Sequence, residues 1–325
     1  MAIRVHKPGL LTTVQDAGRF GLYSIGFPPS GAMDQFAYTT GAMLVGNPPG
    51  LACLEATYLG PELEFTEEAV VALTGAEMPA KLNGDPVPSW EAVAVAPGDV
   101  LSFGFLVSGA RTYISVSGGI DVEPTLGSRS TYTLTGIGGF EGRALAAGDE
   151  VPVGSANGGR AGRRVPDRFI PSYSSDVELR IVVGLCSYRM TDAMIEDFLD
   201  ATWTVTPDAD RIGYRFRGIE LEFIEREQPF GAGSDPSNVV DMPYPLGSIQ
   251  VPAGVEPILL LADAVTGGGY AQIGTVISAD LSRAAQTRTA DRVKFTAVTL
   301  EDALRARSEA QTRLVEIERS LGESS

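Results

Sequence analysis

The sequence predicts a mainly β fold with minor α content, arranged as two closed β-barrels, and three observations lead there. Its 325 residues exceed one ordinary domain and suit two of about 150 each. Gly 38 and Pro 21 are high counts, which favours many short strands joined by turns over long helices. Strand-like runs recur at even spacing between turn signals, as closed barrels require. A hydrophobic content of 44% supplies sizeable cores and argues against disorder.

Residues 1–30 read as short extended pieces broken by Gly and Pro. A helix is expected over 34–45, where Phe36, Ala37, Thr40, Met43 and Leu44 have helical spacing. Asp34 or Ser30 would cap its start, Gly46-Asn47 its end, and Pro48-Pro49 stops it. From Leu51 to about Val153 the runs AVVALTG, AVAVAPGDVLSFG and TYISVSGG are β-rich. Asn83-Gly84-Asp85 and Pro97-Gly98-Asp99 punctuate them as turns, and Ala147-Gly148-Asp149 repeats the second.

Residues 154–172 have linker composition, small, basic and irregular. The expected division is a first barrel over 1–160, a linker over 161–172, a second barrel over 173–298 and a C-terminal helix over 299–325. Within the second, VELRIVVG, WTVTP, IELEFI, GSIQVP, PILLLAD and RVKFTAV read as strands. A helix is expected from Thr191 to about Leu199, with Met194, Ile195, Phe198 and Leu199 on one face. Thr299-x-x-Asp302 starts the last helix, and Leu304, Leu314 and Ile317 lie among its Glu and Arg residues. SVSGGIDVEPTLGSRST loosely resembles AVTGGGYAQIGTVISADL, as a duplicated barrel would.

Charge and residue inventory exclude several functions. A net charge of −16 opposes nucleic-acid binding, which needs clustered cations to displace phosphate counterions. Apart from Lys7, Lys81 and Lys294 the basic residues are arginines. Cys53 and Cys186 make no disulfide framework. The start MAIRVHKPG lacks an apolar signal core and no run approaches a membrane span, so no membrane partner and a cytoplasmic location are expected. His6 is the single histidine; a His-rich zinc site is excluded, no metal is expected, and a Ser-His-Asp or Cys-His catalyst would have to use His6. No GxxxxGK[ST], GxGxxG, GxSxG or SxxK motif occurs. Acid and base roles therefore fall to Asp, Glu, Tyr, a lysine or the substrate itself.

Three segments have residues suited to chemistry. In the first, over 12–36, Gln15, Asp16, Arg19 and Asp34 lie among glycines that allow close backbone approach; a tight turn with Asp16 paired to Arg19 reads the same way. In the second, over 126–131, Arg129 and Ser130 could cradle an anion, or Arg129 could pair with Asp121. The third combines DADRIGYRFRG, GSIQVP and PILLLADAVTGGGYAQIG, with Arg211, Tyr214, Gln250, Asp263, Thr266 and Tyr270. Asp263 ends an apolar strand, where it suits a base, an orienting group or a turn cap.

In this order the segments resemble the allophanate hydrolase subunit 2 family. That family is the C–D part of the biotin-dependent carboxyltransferase of urea carboxylase, and it includes the third subunit of 5-oxoprolinase and the KipI antagonist. TTVQDAGRFG, GAMD, LVGN, the LE of Leu54-Glu55, LTGA, the PGD turn, GxRxY over 109–113, SGGID, LGSRST and GRxLxxGD carry the resemblance in the first half. DRIGYR, SIQVP, ILLLAD, TGGGY, VISADL and Gln286 carry it in the second. VTGGGYAQIG departs from the family's QTTGGYPKIA, so Val265, Gly267, Ala271 and Gln272 replace Gln, Thr, Pro and Lys. GLC at 184–186 stands for GPQ, and TAD at 289–291 for PGD.

The resemblance implies two cyclophilin-like barrels and a subunit of a carboxyltransferase or ATP-dependent amidohydrolase complex. Its substrate would carry an amide-like N–C=O group: urea, an allophanate-type compound or 5-oxoproline. The implied partner is a KipI-like allophanate hydrolase subunit 1, with a LamB-like protein, a biotin carboxylase and a biotin carrier in some systems. Carboxybiotin would arrive on the partner carrier. ATP would be consumed by the complex, with no recognisable nucleotide motif in this chain. Motif position and residue type make Asp16 and Asp263 candidates for proton transfer or acceptor orientation, and Arg129 and Arg211 for anion stabilisation. Gln15, Arg19, Asp34, Ser130, Tyr214, Gln250, Thr266 and Tyr270 are the candidate substrate-binding residues. The alternative is a non-catalytic regulatory binding protein of the KipI-antagonist type.

Overall fold

The computed structural model describes residues 1–156 and 158–323. It is mainly β, with two compact units. The first comprises Met1–Arg19, Ser30–Tyr173 and Gln311–Ser325; the second comprises Phe20–Pro29 and Ser174–Ala310.

The first unit holds β1 (Ala2–Lys7), β2 (Leu11–Gln15), α1 (Gln35–Leu44), β3 (Cys53–Thr57), β4 (Glu62–Phe65), β5 (Ala69–Glu77), β6 (Ala80–Leu82), β7 (Asp85–Val87), β8 (Ala92–Val95), β9 (Val100–Phe103), β10 (Ser108–Val116) and β11 (Glu150–Pro152). They form a six-stranded sheet, β11-β1-β4-β9-β6-β7, and a five-stranded sheet, β2-β3-β10-β5-β8. Ile120 bridges to both Ala52 and Val153, which ties the sheets together. Ile3, Val5, Leu54, Leu63, Phe65, Leu73 and Ile114 fill one core cluster. Helix α1 packs on β5 and β10 through Ala37, Tyr38, Gly41 and Leu44, all buried. Its ends follow the sequence. The Asp34 carboxylate accepts from Ala37 N at 2.9 Å, Gly46 is left-handed, and Asn47 N closes on Ala42 O.

The second unit holds β12 (Asp176–Val183), α2 (Asp192–Asp200), β13 (Trp203–Ala209), β14 (Gly213–Arg217), β15 (Asn238–Pro243), β16 (Ser248–Gln250), β17 (Ile258–Leu260), β18 (Gly267–Tyr270), β19 (Gln272–Val276), α3 (Leu281–Ala285) and β20 (Arg292–Ala297). Seven strands close a barrel in the order β12-β19-β16-β17-β14-β13-β20, and β15-β18 form a separate ribbon. Closure is made by a parallel pairing of β12 with β20, from Asp176↔Arg292 to Ile181↔Ala297. Phe198 of α2 packs against Phe295 and Trp203, with ring centroids 5.2 Å apart in each pair, and is fully buried. Thr191 caps α2 by accepting from Met194 N.

The C-terminal helix α4 runs over Leu300–Glu323 and begins as expected, with Thr299 Oγ1 accepting from Asp302 N at 3.1 Å. Ser324 and Ser325 of the expected helix, and Asn157 of the expected linker, lie outside the described residues. IELEFI, expected as a strand, is irregular. Its backbone makes only scattered bonds, Leu221 N to Gly254 O and Ile224 N to Arg189 O, so alternating apolar residues there find no ladder to join.

The repeated turns share one construction. Asp99 Oδ2 accepts from Ala96 N, and Asp149 Oδ2 from Ala146 N, each at 2.7 Å. The preceding glycine is left-handed in both, with φ +88° and +92°, and donates to a neighbouring strand at Phe65 O or Val5 O. The second unit repeats the device at 288–291. Asp291 Oδ2 accepts from Arg288 N at 2.8 Å, and residue 290 donates to Val205 O. There the left-handed residue is Ala290, at φ +71°, where a Cβ is strained. Ala290→Gly is therefore expected to raise stability by about 0.5–1 kcal/mol, the strain relief partly offset by glycine's unfolded-state entropy. A urea midpoint that stays put or falls would refute this.

Candidate functional site

Strand β2 delivers Gln15 and then Asp16 into the interior of the first unit, where Asp16 gathers a distant loop. Its Oδ1 accepts from Gly18 N (2.9 Å), Ser128 Oγ (2.7 Å) and Ser130 Oγ (2.5 Å), and its Oδ2 from Arg129 N (2.5 Å). Asp16 N in turn donates to Ser130 Oγ at 3.0 Å. Arg19, 2% exposed, braces the same loop through Nε to Thr125 O and Nη2 to Ser130 O. Gly138 makes room for it: a Cβ there would lie 2.2 Å from Ser130 O and 2.8 Å from Arg19 Nη2. Gln15 Nε2 donates to Thr13 Oγ1 and Thr131 O, while its buried Oε1 has no partner. The first two sequence segments thus converge on one carboxylate. Arg129 turns its side chain outward, half-buried, with Nε on Val122 O at 2.8 Å and Nη2 at a long 3.4 Å from Asp121.

Asp34 joins a second polar network. Asp34 N donates to the Tyr113 hydroxyl (2.7 Å), which donates to Glu55 Oε2 (2.8 Å); Met33 N also donates to that oxygen (2.9 Å). Arg111 Nε lies 3.8 Å from Glu55 Oε1, and Asp34, Glu55, Arg111 and Tyr113 are all buried. Burial, then the Glu55 and Asp34 charges, hold the Tyr113 phenol well above its usual range. Cys53 is pushed up by burial, then by Glu55 and Asp16, which keeps it a thiol and a poor nucleophile. Sequence reasoning passed over Glu55, Arg111 and Tyr113 as site residues, although their motifs were visible. The signal was strand register: Tyr113 pairs with Glu55 across β10 and β3, which puts both on one face.

In the second unit Arg211 and Asp263 form a buried forked pair, Nε to Oδ2 at 2.8 Å and Nη2 to Oδ1 at 3.2 Å. Asp263 N also donates to Arg211 O at 2.9 Å. Tyr244 links Thr266 to Tyr270: its N–H donates to Thr266 O, and its hydroxyl donates to Tyr270 O and accepts from Tyr270 N, each at 2.7 Å. Burial pushes the Tyr244 phenol up to about 12. The Tyr270 ring itself is exposed, as is Val265. Tyr214 is buried on β14, with its hydroxyl 3.5 Å from Ala285 O. Gln250 pairs with Gln272 across β16 and β19. Gln272 Nε2 donates to Gly274 O and Thr275 Oγ1, and its buried Oε1 has no partner.

The structure therefore brings Gln15, Asp16, Arg19, Arg129 and Ser130 together, with Asp34 in the adjoining network, all in the first unit. Arg211 and Asp263 meet in the second, as do Thr266 and Tyr270. Among the described residues no group of three His, Cys, Asp or Glu is placed to hold a metal, and no helix is long and apolar enough to cross a membrane.

The family described as carboxyltransferase domain, subdomain A and B, matches residues 25–297. Urea amidolyase of Saccharomyces cerevisiae is 34% identical over 309 residues, 92% of this chain and 17% of that protein. A putative urea carboxylase of Emericella nidulans is 35% identical over 321 residues, 97% of this chain and 26% of that protein. A 5-oxoprolinase subunit of Escherichia coli is 32% identical, with 95% of each chain covered. The crystal structure of Kluyveromyces lactis urea carboxylase superimposes with a TM-score of 0.92 at 32% identity, over 98% of this chain and 29% of that one. The chain thus spans between 17% and 26% of the first two urea enzymes' length.

Proposed function

This chain belongs to the carboxyltransferase A and B family, and from that premise we propose that it is a working subunit of a complex acting on an amide-like N–C=O substrate. Urea, an allophanate-type compound and 5-oxoproline share that group, and the partner would be a KipI-like subunit. Relatives named for urea carboxylation and for 5-oxoprolinase support the class. The observation that carries the reading is the convergence of two segments 114 residues apart on Asp16, which fixes a serine-rich loop and holds Arg129 at its outer edge. A rigid frame beneath an outward guanidinium is what anion stabilisation needs.

Carboxybiotin on a separate carrier, where the complex uses it, would supply the carboxyl group. A ureido or amide group calls for an N–H donor and a carbonyl acceptor. The Arg129 guanidinium offers the first, while Gln15, fully buried, supports the same loop by donating to Thr131 O. In this reading Asp16 is a positioning residue, since its oxygens already accept four hydrogen bonds. Asp263 orients the acceptor through Arg211, or takes its proton. Thr266 and Tyr270, held by Tyr244, contact the substrate. ATP is consumed by the complex through its partners.

Co-expression with the KipI-like partner tests this. The purified complex, with LamB-like, biotin carboxylase and carrier proteins added, is expected to consume 5-oxoproline with ATP or to carboxylate urea. Asp263→Asn is expected to lower that turnover well over tenfold if the carboxylate takes a proton. A tight complex without either activity would favour the regulatory reading. One observation leans that way: position 272, where the family motif that this chain resembles has lysine, is here a fully buried glutamine that braces β19.

A further inference from the structure

Three turns at one end of the first unit form an apolar cap. They join β1 to β2 over 8–10, β3 to β4 over 58–61 and β9 to β10 over 104–107. Phe105 is 90% exposed and Leu10 66%, and Leu59 and Val107 are exposed as well. Backbone contacts hold the turns together: Leu10 N donates to Leu59 O at 3.2 Å, and Tyr58 N to Ala110 O at 2.9 Å. A Cβ on Gly9 would lie 2.3 Å from Leu59 O, and one on Gly60 would lie 2.3 Å from Cγ of the Phe103 ring. Gly104 N and Val107 N anchor the base of the third turn on Pro79 O and Glu77 O, so Phe105 projects from a fixed frame.

Single exposed apolar residues are ordinary, whereas a contiguous apolar patch marks a contact surface. In a chain that is 20% charged, residues 8–11, 58–61 and 102–108 carry no charge at all. The acids that border them are already engaged, Glu62 with Lys7 Nζ at 2.7 Å and Glu77 with Ser108 Oγ at 3.1 Å. The proposed activity makes no use of this end. Leu10 and Asp16 flank β2 on its two sides, about 20 Å apart at the usual strand rise. We propose that the cap is a self-association surface, on which a second copy of this chain docks about a two-fold axis.

Charge and area select that occupant. Each copy carries −16, so two copies meet most favourably where neither presents a like charge to the other. A basic partner would find no unengaged acid on the cap. A two-fold axis sets the patch against its own counterpart, and apolar side chains are complementary to themselves. Four exposed side chains of this size supply on the order of a few hundred Å², short of the roughly 800 Å² per partner of a standard interface. The dimer is therefore a reversible, concentration-dependent one, with Phe105 as its anchor.

Sedimentation velocity tests this on the purified chain, from about 1 to 200 μM. A monomer–dimer equilibrium is expected that tightens as salt rises, because screening relieves the repulsion between acidic copies. Phe105→Asp and Leu10→Asp are each expected to weaken it at least about tenfold. Phe230→Asp adds the same charge at a fully exposed phenylalanine of the second unit, and should leave the equilibrium within about twofold of wild type. If one cap variant does not fold, the other decides. A wild-type chain that stays monomeric at the highest concentration would overturn the proposal. So would dimers that persist in both cap variants, dimers lost equally in Phe230→Asp, or association that weakens as salt rises. A chain that is monomeric alone but binds the co-expressed KipI-like subunit through Phe105 would overturn it too, and would give the cap to that partner. Catalytic turnover enters none of these readings, so the dimer stands or falls apart from the proposed function.

Discussion

Asp263→Leu is expected to destabilise the second unit by about 3–5 kcal/mol, because it strands the Arg211 guanidinium in the interior. Both residues are nearly inaccessible, and the fork consumes both carboxylate oxygens, so water cannot readily replace the lost partner. The double variant Arg211→Met with Asp263→Leu should recover most of the loss, to within about 1 kcal/mol of wild type, since two apolar side chains of similar volume leave no charge behind. Urea unfolding of the wild type, both single variants and the double variant closes the cycle. If the double variant loses as much stability as the two single variants together, the pair is not coupled and Asp263 has another role. This cycle also separates folding from catalysis: a double variant that folds well yet supports no turnover in the complex would place the pair in the chemistry.

The second large effect is expected at Asp16. Asp16→Ala removes the acceptor of four hydrogen bonds, from Gly18 N, Ser128 Oγ, Arg129 N and Ser130 Oγ. Each buried donor left unpaired costs on the order of 1 kcal/mol or more, so a loss of about 3 kcal/mol or above is expected. Asp16→Asn should be intermediate, since the amide keeps one acceptor oxygen but turns two donors toward a set of donors. Hydrogen exchange gives a local reading. The Arg129 amide should exchange much faster in Asp16→Ala, while amides of β10 change only with global stability. Unchanged protection at Arg129 would show that the loop holds itself without the carboxylate.

Local chemistry was legible in the sequence and remote partnership was not. Helix α1 could be read with both its caps, because capping is decided within four residues. Asn83-Gly84 could be read as a hairpin turn, and both residues are left-handed between β6 and β7. IELEFI misled because alternation signals a half-buried face, while a strand also needs a neighbour whose free edge is in register. In the site, Asp16 and Arg129 were legible as residue types. That Asp16 accepts from the loop's hydroxyls and amide depends on a contact across more than a hundred residues. Glu55, Arg111 and Tyr113 lay inside β-rich runs, where a polar residue ordinarily faces solvent; only the pairing of β3 with β10 turns them inward.

The parallel pairing of β12 with β20 also sets an order of events during synthesis. The partners Asp176 and Arg292 are separated by nearly the whole second half, so the barrel stays an open, curled sheet until β20 has left the ribosome. Closing so long a loop is paid in chain entropy before any contact rewards it. The β12 edge therefore waits unpaired on the nascent chain, and in that interval it is the segment most exposed to aggregation or to capture by a chaperone.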